Sequence, residues 1–397
     1  MPVNFDKMPD RLNTNCVKWD GLPNMFKVKA EDEVLPFWVA DMDFDCPQPI
    51  IDALRERVNH GIFGYTRVSD HFSQSVVSWM NKRHGSWIDP QSVRFSPGVL
   101  HGLTNAILAF SKKGDGVIIM TPVYYPFNSI IKDTEREVIE NPLIEINGHY
   151  EIDYEDLKKK TSQSKAKLLI LCNPHNPVGR VFTQAELTRI GEICVLNKIT
   201  VLSDEIHSDL IYAPYKHLTY MNLPGVYKNK AVVFISPSKT FNLAGLQTSA
   251  VILPDETMRQ AYDKAASLTR TTGINVFGEV ALCAAYDQCE SYVDELMAYL
   301  TKNLAYVKET LKIRFPQLTL FEPEGTYLLW IDFRKSGIDE KELLHFMSHT
   351  ARIAIDDGSW FGSQGSGFIR LNSACPLSQL KEAFDRLEYA FNQLRNK

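Results

Sequence analysis

Lys239 stands where a lysine has a use beyond solubility. It lies in Ser236-Pro237-Ser238-Lys239-Thr240-Phe241-Asn242, directly after the apolar run Val232-Val233-Phe234-Ile235. Such a run reads as a strand covered on both faces, and open α/β sheets take their ligands at the carboxyl ends of their strands. An amine held there is partly desolvated, its pKa falls, and it becomes a usable nucleophile. A surface lysine after a strand would look the same. Asp204 ends another run, in Ser203-Asp204-Glu205-Ile206-His207. An acid in that place can hold a protonated ring nitrogen or cap a helix. Asn173 follows a third run, within Cys172-Asn173-Pro174-His175-Asn176-Pro177-Val178-Gly179. The prolines and glycine fix a turn, from which the Asn173 amide can donate to an acceptor. Ser96-Pro97-Gly98-Val99-Leu100 opens a helix whose free N–H groups suit a phosphate. In Thr121-Pro122-Val123-Tyr124-Tyr125-Pro126 a ring could stack on a flat heterocycle. Alone, each segment also reads as a turn, a cap or simple packing.

The elements that must position these residues are legible in outline. Apolar runs at Val117–Met120, Leu168–Leu171, Thr200–Ser203, Val232–Ile235 and Ala250–Leu253 alternate with helical patterns. One predicted helix covers Leu100 to Phe110. Another starts at Thr183, with Glu186 three residues on as a capping box. Strand–helix alternation predicts an α/β domain with a mostly parallel sheet. The last third differs. Leu296, Leu300, Leu304, Val307 and Leu311 share one face of a long helix that stops before Pro316. Strand-like runs follow at Tyr327–Phe333 and Phe368–Asn372, then a helix with Leu380, Phe384, Leu387, Phe391 and Leu394 on one stripe. The expected organisation is an N-terminal segment 1–45 packed on the small domain or a partner subunit, a large domain 46–285, and a smaller α+β domain 286–397.

Composition narrows the function. The 397 residues carry a net charge of −5 with no Lys/Arg block, so neither nucleic acid nor an anionic membrane surface is the expected partner. No stretch nears the ~18 apolar residues of a membrane span. Met1-Pro2-Val3-Asn4-Phe5-Asp6-Lys7 lacks a signal-peptide core. A cytoplasmic protein is expected. Seven scattered cysteines, none in a C-x-x-C pair, suggest neither a disulfide framework nor a zinc site. His175 and His207 lack the carboxylates of a metal motif. Gly362-Ser363-Gln364-Gly365-Ser366-Gly367 has no P-loop lysine and reads as a mobile loop before Arg370.

The combination of strand-end segments is what decides. In the order Gly98, Tyr124, Asn173, Asp204, Lys239 they supply a phosphate cradle, a stacking ring, an acceptor partner, a pyridine-nitrogen partner and an amine for a Schiff base. That order resembles the fold-type I, aspartate-aminotransferase-like family that depends on pyridoxal 5′-phosphate (PLP). Within it the sequence resembles the cystathionine β-lyase / cysteine-S-conjugate β-lyase (C–S lyase) group of the MalY/PatB type. The phrases that carry the likeness include Val17-Lys18-Trp19-Asp20, Phe37 through Phe44, His60 through Thr66, Cys172 through Pro177, Ser203 through Asp209 and Pro237 through Gln247. They run through nearly the whole chain.

The resemblance implies roles. Lys239 would carry PLP and, once displaced by the substrate amine, act as general base on the Cα proton. Asp204 would bind the pyridine nitrogen, Asn173 the phenolic oxygen, and Tyr124 would stack on the ring. The amides of Val99 and Leu100 after Gly98, with Ser236 and Ser238, would hold the phosphate. Tyr65 would reach it from a neighbouring subunit, which implies a homodimer. Arg370 would clamp the substrate carboxylate, helped by the backbone near Ala40. Tyr124 or Lys239 would protonate the leaving sulfur. Two positions depart from common aminotransferases, as in C–S lyases: His207 replaces a tyrosine, and Gln247 replaces a phosphate-binding arginine. The implied reaction is α,β-elimination on L-cystathionine, L-cysteine or related S-conjugates to a thiol, pyruvate and ammonia. Two other readings stay open, a class I/II aminotransferase and a regulatory binding protein on the same scaffold.

Overall fold

The computed structural model of this chain describes residues 3–8 and 10–395; Met1 and Pro2 of the N-terminal stretch lie outside them. Seven strands form the central sheet: β1 (Val93–Ser96), β2 (Gly116–Ile119), β3 (Glu137–Glu140), β4 (Ala166–Cys172), β5 (Thr200–Asp204), β6 (Ala231–Ile235) and β7 (Ser249–Ile252). They lie in the order β1-β7-β6-β5-β4-β2-β3. The pairs from β6 to β3 are parallel, and β7 runs antiparallel to both β6 and β1. The apolar runs explain this placement. Leu168, Leu169, Val232, Val233, Phe234 and Val251 are all fully buried, as strands covered by helices on both faces must be.

Because β7 reverses twice, β1 points the same way as β4, β5 and β6. Their carboxyl ends therefore share one edge of the sheet. Helix α1 (Val99–Phe110) leaves β1 at that edge after Gly98, whose φ of +116° a side chain would strain. The expected capping box forms: the Thr183 hydroxyl accepts from the Glu186 N–H, and the Glu186 carboxylate accepts from the Thr183 N–H.

The second sheet is antiparallel. Its strands β8 (Thr319–Phe321), β9 (Leu328–Asp332), β10 (Asp356–Asp357) and β11 (Phe368–Asn372) lie in the order β8-β9-β11-β10. Against it pack α2 (Glu290–Arg314), with Leu296, Leu300, Leu304, Val307 and Leu311 buried, and α3 (Leu377–Arg395). The stripe on α3 is buried from Leu380 through Phe391, but Leu394 is exposed. The glycine-rich segment is packed as two short turns. Gly358 and Gly365 bring their backbones so close that a Cβ on either would meet the other's carbonyl oxygen. Leu35–Pro36 pairs in parallel with Ile353–Ala354, which ties the N-terminal segment to this second unit.

Candidate active site

Five strand ends, those of β1, β2, β4, β5 and β6, border one cavity of about 250 Å³. Its lining includes Gly98, Val99, Leu100, Tyr124, Asp204, His207, Ser238, Lys239 and Ala40. The register of the sheet sets this spacing: Cys172 lies beside Asp204, and Asp204 beside Phe234. Asn173 and Ser236 stand one step back. The Asn173 Oδ1 accepts from the Phe182 N–H at 3.0 Å, while its Nδ2 is buried without a partner. The Ser236 hydroxyl donates to the Thr248 carbonyl and accepts from the Ser238 hydroxyl, each at 2.8 Å, so it backs Ser238. Tyr65 is 113% exposed and is not among the residues lining the cavity. A wider groove of about 880 Å³ lies between the N-terminal segment and Arg386. No candidate residue lines it.

The electrostatics follow from burial. Asp204 is 4% exposed and accepts one hydrogen bond, from the Ile206 N–H at 3.1 Å. Burial pushes its carboxyl up to about 7, against the pull of that bond and of Lys239. The Lys239 ammonium donates to the Ala40 carbonyl at 2.6 Å. Burial lowers its pKa to about 8; the Asp41 and Asp204 charges oppose the shift and Arg370 adds to it. His207 is buried beside Lys239 and Arg370, which holds its imidazole neutral; its Nδ1 has no partner. Tyr124 is raised to about 12, chiefly by burial, and keeps its proton at neutral pH.

Arg370 lies at the middle of β11, opposite Asp356 of β10. One guanidinium nitrogen donates to Asn176 Oδ1 at 3.0 Å, and the other to the Trp38 carbonyl at 2.9 Å and to the Asp356 carboxylate. Its Nε is buried and unpartnered. Sequence reasoning missed Asp356 and Asn176 as partners of Arg370. Asn176 sits inside a phrase already singled out, whereas Asp356 carries no local signal. Gln247 lines the cavity near Ser238, in a left-handed backbone conformation.

Among the described residues no His/Cys/Asp/Glu cluster could hold a metal ion, and no helix is long and apolar enough to cross a membrane. The cavity therefore gathers a buried acid, a lysine and a helix N-terminus at one sheet edge, and Arg370 reaches Asn176 of its lining from the second sheet. Comparison with known proteins agrees. The cystathionine β-lyase PatB of Bacillus subtilis is 40% identical over 98% of this chain and 100% of its own. The protein MalY of Escherichia coli is 33% identical over 99% of this chain and 100% of its own. The crystal structure of cystalysin from Treponema denticola, which contains a pyridoxal 5′-phosphate cofactor, is 37% identical. It superposes with a TM-score of 0.96 over 99% of this chain and 100% of that one. Residues 32–387 match the aminotransferase class I and II family, so by sequence, fold and the edge on which its polar residues meet, this chain belongs to that family.

Proposed function

We propose that this protein is a PLP-dependent C–S lyase that performs α,β-elimination on L-cystathionine, L-cysteine or related cysteine S-conjugates. The observation that carries the reading is a complementary set of unsatisfied groups, one lining a single cavity and one a step behind it. Asp204 is a buried acid with no bonded cation, and Asn173 Nδ2 is a buried donor with no acceptor. Gly98 opens a helix N-terminus onto the same space. Those are the partners of a protonated pyridine nitrogen, a phenolic oxygen and a phosphate, so the residues present fit PLP. PatB is a named cystathionine β-lyase and cystalysin a PLP-containing protein, which supports the same reading.

When bound, PLP supplies an electron sink for the pair left at the substrate Cα. Asp204 would hold the ring nitrogen protonated and so keep that sink strong. Asn173 would donate to the phenolic oxygen, and the N–H groups of Val99 and Leu100, with Ser238 backed by Ser236, would hold the phosphate. His207 stays neutral and borders the same face. Tyr124, which lines the cavity, would stack on the ring. Lys239 would hold the cofactor through its amine and, as the free amine, take the Cα proton; a pKa near 8 leaves it able to do so at neutral pH. Arg370 and the backbone near Ala40 hold the α-carboxylate. The C–S bond breaks as the thiolate leaves, and Tyr124 or Lys239 supplies its proton. Water then carries the remaining three-carbon fragment to pyruvate and ammonia. Exposed Tyr65 would reach the phosphate of a second copy, in a working form that we read as a cytoplasmic homodimer.

The test uses purified PLP-loaded protein, L-cystathionine and no keto acid. Continuing release of pyruvate and homocysteine in equal amounts is expected. One equivalent of keto product per protomer, then arrest until a keto acid is added, would make the protein an aminotransferase. No product under any of these conditions would leave the scaffold as a binding protein.

A further inference from the structure

Five successive carbonyls, from Trp38 to Met42, each accept a hydrogen bond from a side chain. Trp38 O accepts from Arg370, Val39 O from Asn372, and Ala40 O from both Lys239 and Tyr327. Asp41 O accepts from Asn372 and Lys18, and Met42 O from Asn242 and Arg11. This strap touches the central sheet's lysine and the second sheet's arginine through carbonyls two residues apart.

An ion cluster clamps the strap from the N-terminal side. The Lys18 side chain is 0% exposed, with its ammonium 2.7 Å from Asp43 Oδ2 and 3.3 Å from Asp41 O. The other Asp43 oxygen accepts from Arg11 at 2.8 Å and from the Trp19 indole N–H at 3.0 Å. Arg11 also pairs with Asp41 at 2.8 Å. Two cations thus face two anions. A buried ion pair adds little net stability over apolar residues of the same size, because desolvation offsets the attraction. What it does supply is direction: each charged hydrogen bond fixes a backbone segment in one orientation.

We propose that Lys18 is a positioning residue. Through Asp43 and the Asp41 carbonyl it fixes the strap, so that Ala40 O orients the Lys239 amine and Trp38 O orients Arg370. The proposal rests on the reading of Lys239 as the cofactor-bearing base. Its scope is narrower, since it concerns how the amine is aimed.

The experiment uses full-length Lys18→Met and Trp19→Phe beside wild type and Lys239→Ala. Apoprotein is mixed with PLP, and the rate at which Lys239 captures it is followed by visible absorbance. Thermal stability, kcat and KM for L-cystathionine are measured on the loaded forms. A misaimed reacting group costs up to about 100-fold. Lys18→Met is therefore expected to fold yet slow both capture and kcat by about tenfold, with KM rising less. Trp19→Phe, which removes one N–H from Asp43, moves both rates the same way by about threefold. Folded Lys18→Met with both rates within about twofold of wild type overturns the proposal. If Lys18→Met does not fold, Trp19→Phe decides, and unchanged rates in it overturn the proposal equally. Failure of the parent reading looks different: wild type would then capture PLP no differently from Lys239→Ala.

Discussion

Asp204 and Arg370 are both buried ionisable groups in the same site, yet their surroundings are opposite. Asp204 has a single backbone N–H for company and a carboxyl pushed up to about 7. Arg370 is held by Asn176, Trp38 O and Asp356, and only its Nε is left over. Burial raises Asp356 to about 6, with the Arg370 charge holding it down. One end of the site stores an unmet charge. The other end is largely satisfied, and what it offers is a guanidinium plane fixed in advance. The unmet end is where a cation should bind, and the satisfied end is where a carboxylate should be oriented.

Removing the unmet charge should have the largest effect. Asp204→Asn keeps the shape but cannot hold a proton on a ring nitrogen. We expect kcat for L-cystathionine to fall on the order of 10³-fold, with PLP still captured by Lys239. Steady-state kinetics with an absorbance check on loading would show it, and a loss under about tenfold would mean that the acid does not face the ring.

Arg370→Ala should come next and should act on binding. A carboxylate that loses charged hydrogen bonds loses about 1.5–3 kcal/mol, so KM should rise roughly 10- to 150-fold. If kcat falls while KM holds, the arginine orients something other than the substrate carboxylate.

Asp356→Asn sharpens the contrast more gently. The amide oxygen still accepts from Arg370, but the counter-charge is gone. Propionate, a bare carboxylate, should then bind about three- to tenfold tighter than to wild type, read as its Ki against L-cystathionine. Equal Ki values would show that Asp356 does not compensate the charge that a ligand meets.

The two ends also differ in how readable they were. Asp204, Asn173 and Lys239 each lie within a few positions of an apolar run whose continuity marks a buried strand. The strand end and the reactive residue are one local pattern. The partners of Arg370 are spread out: Asn176 lies 194 positions away and Trp38 lies 332. Hydrophobic periodicity reports which face of an element is buried, and it is silent on which polar groups meet across sheets. Asp356 is the plainest case, an acid in an ordinary strand-like run whose partner is fixed only by the pairing of β10 with β11. Lys18 shows the same limit. Its phrase supported the family resemblance, but nothing in it says that the ammonium is fully buried. Leu394 continued the apolar stripe in sequence and still ended in solvent.

The smallest effect concerns the apoprotein and tests whether Asp204 is truly unmet. In the folded chain its carboxyl titrates near 7, and unfolded near the ordinary value of 3.8. Between those pH values the folded state binds more protons than the unfolded one, so this group's contribution to stability falls as pH rises from about 4 to about 7. Below pH 4 the carboxyl is protonated in both states and carries no penalty. Above pH 7 the full cost of a buried, unpaired carboxylate is present. Asparagine cannot ionise, so apo Asp204→Asn should match wild type near pH 4 and melt a few degrees higher near pH 8. Adding PLP should remove that advantage, since a bound cationic ring satisfies the acid in wild type alone. An apo difference that stays flat across pH 4 to 8 would mean that a cation of the protein already pairs with Asp204, and the contrast with Arg370 would collapse.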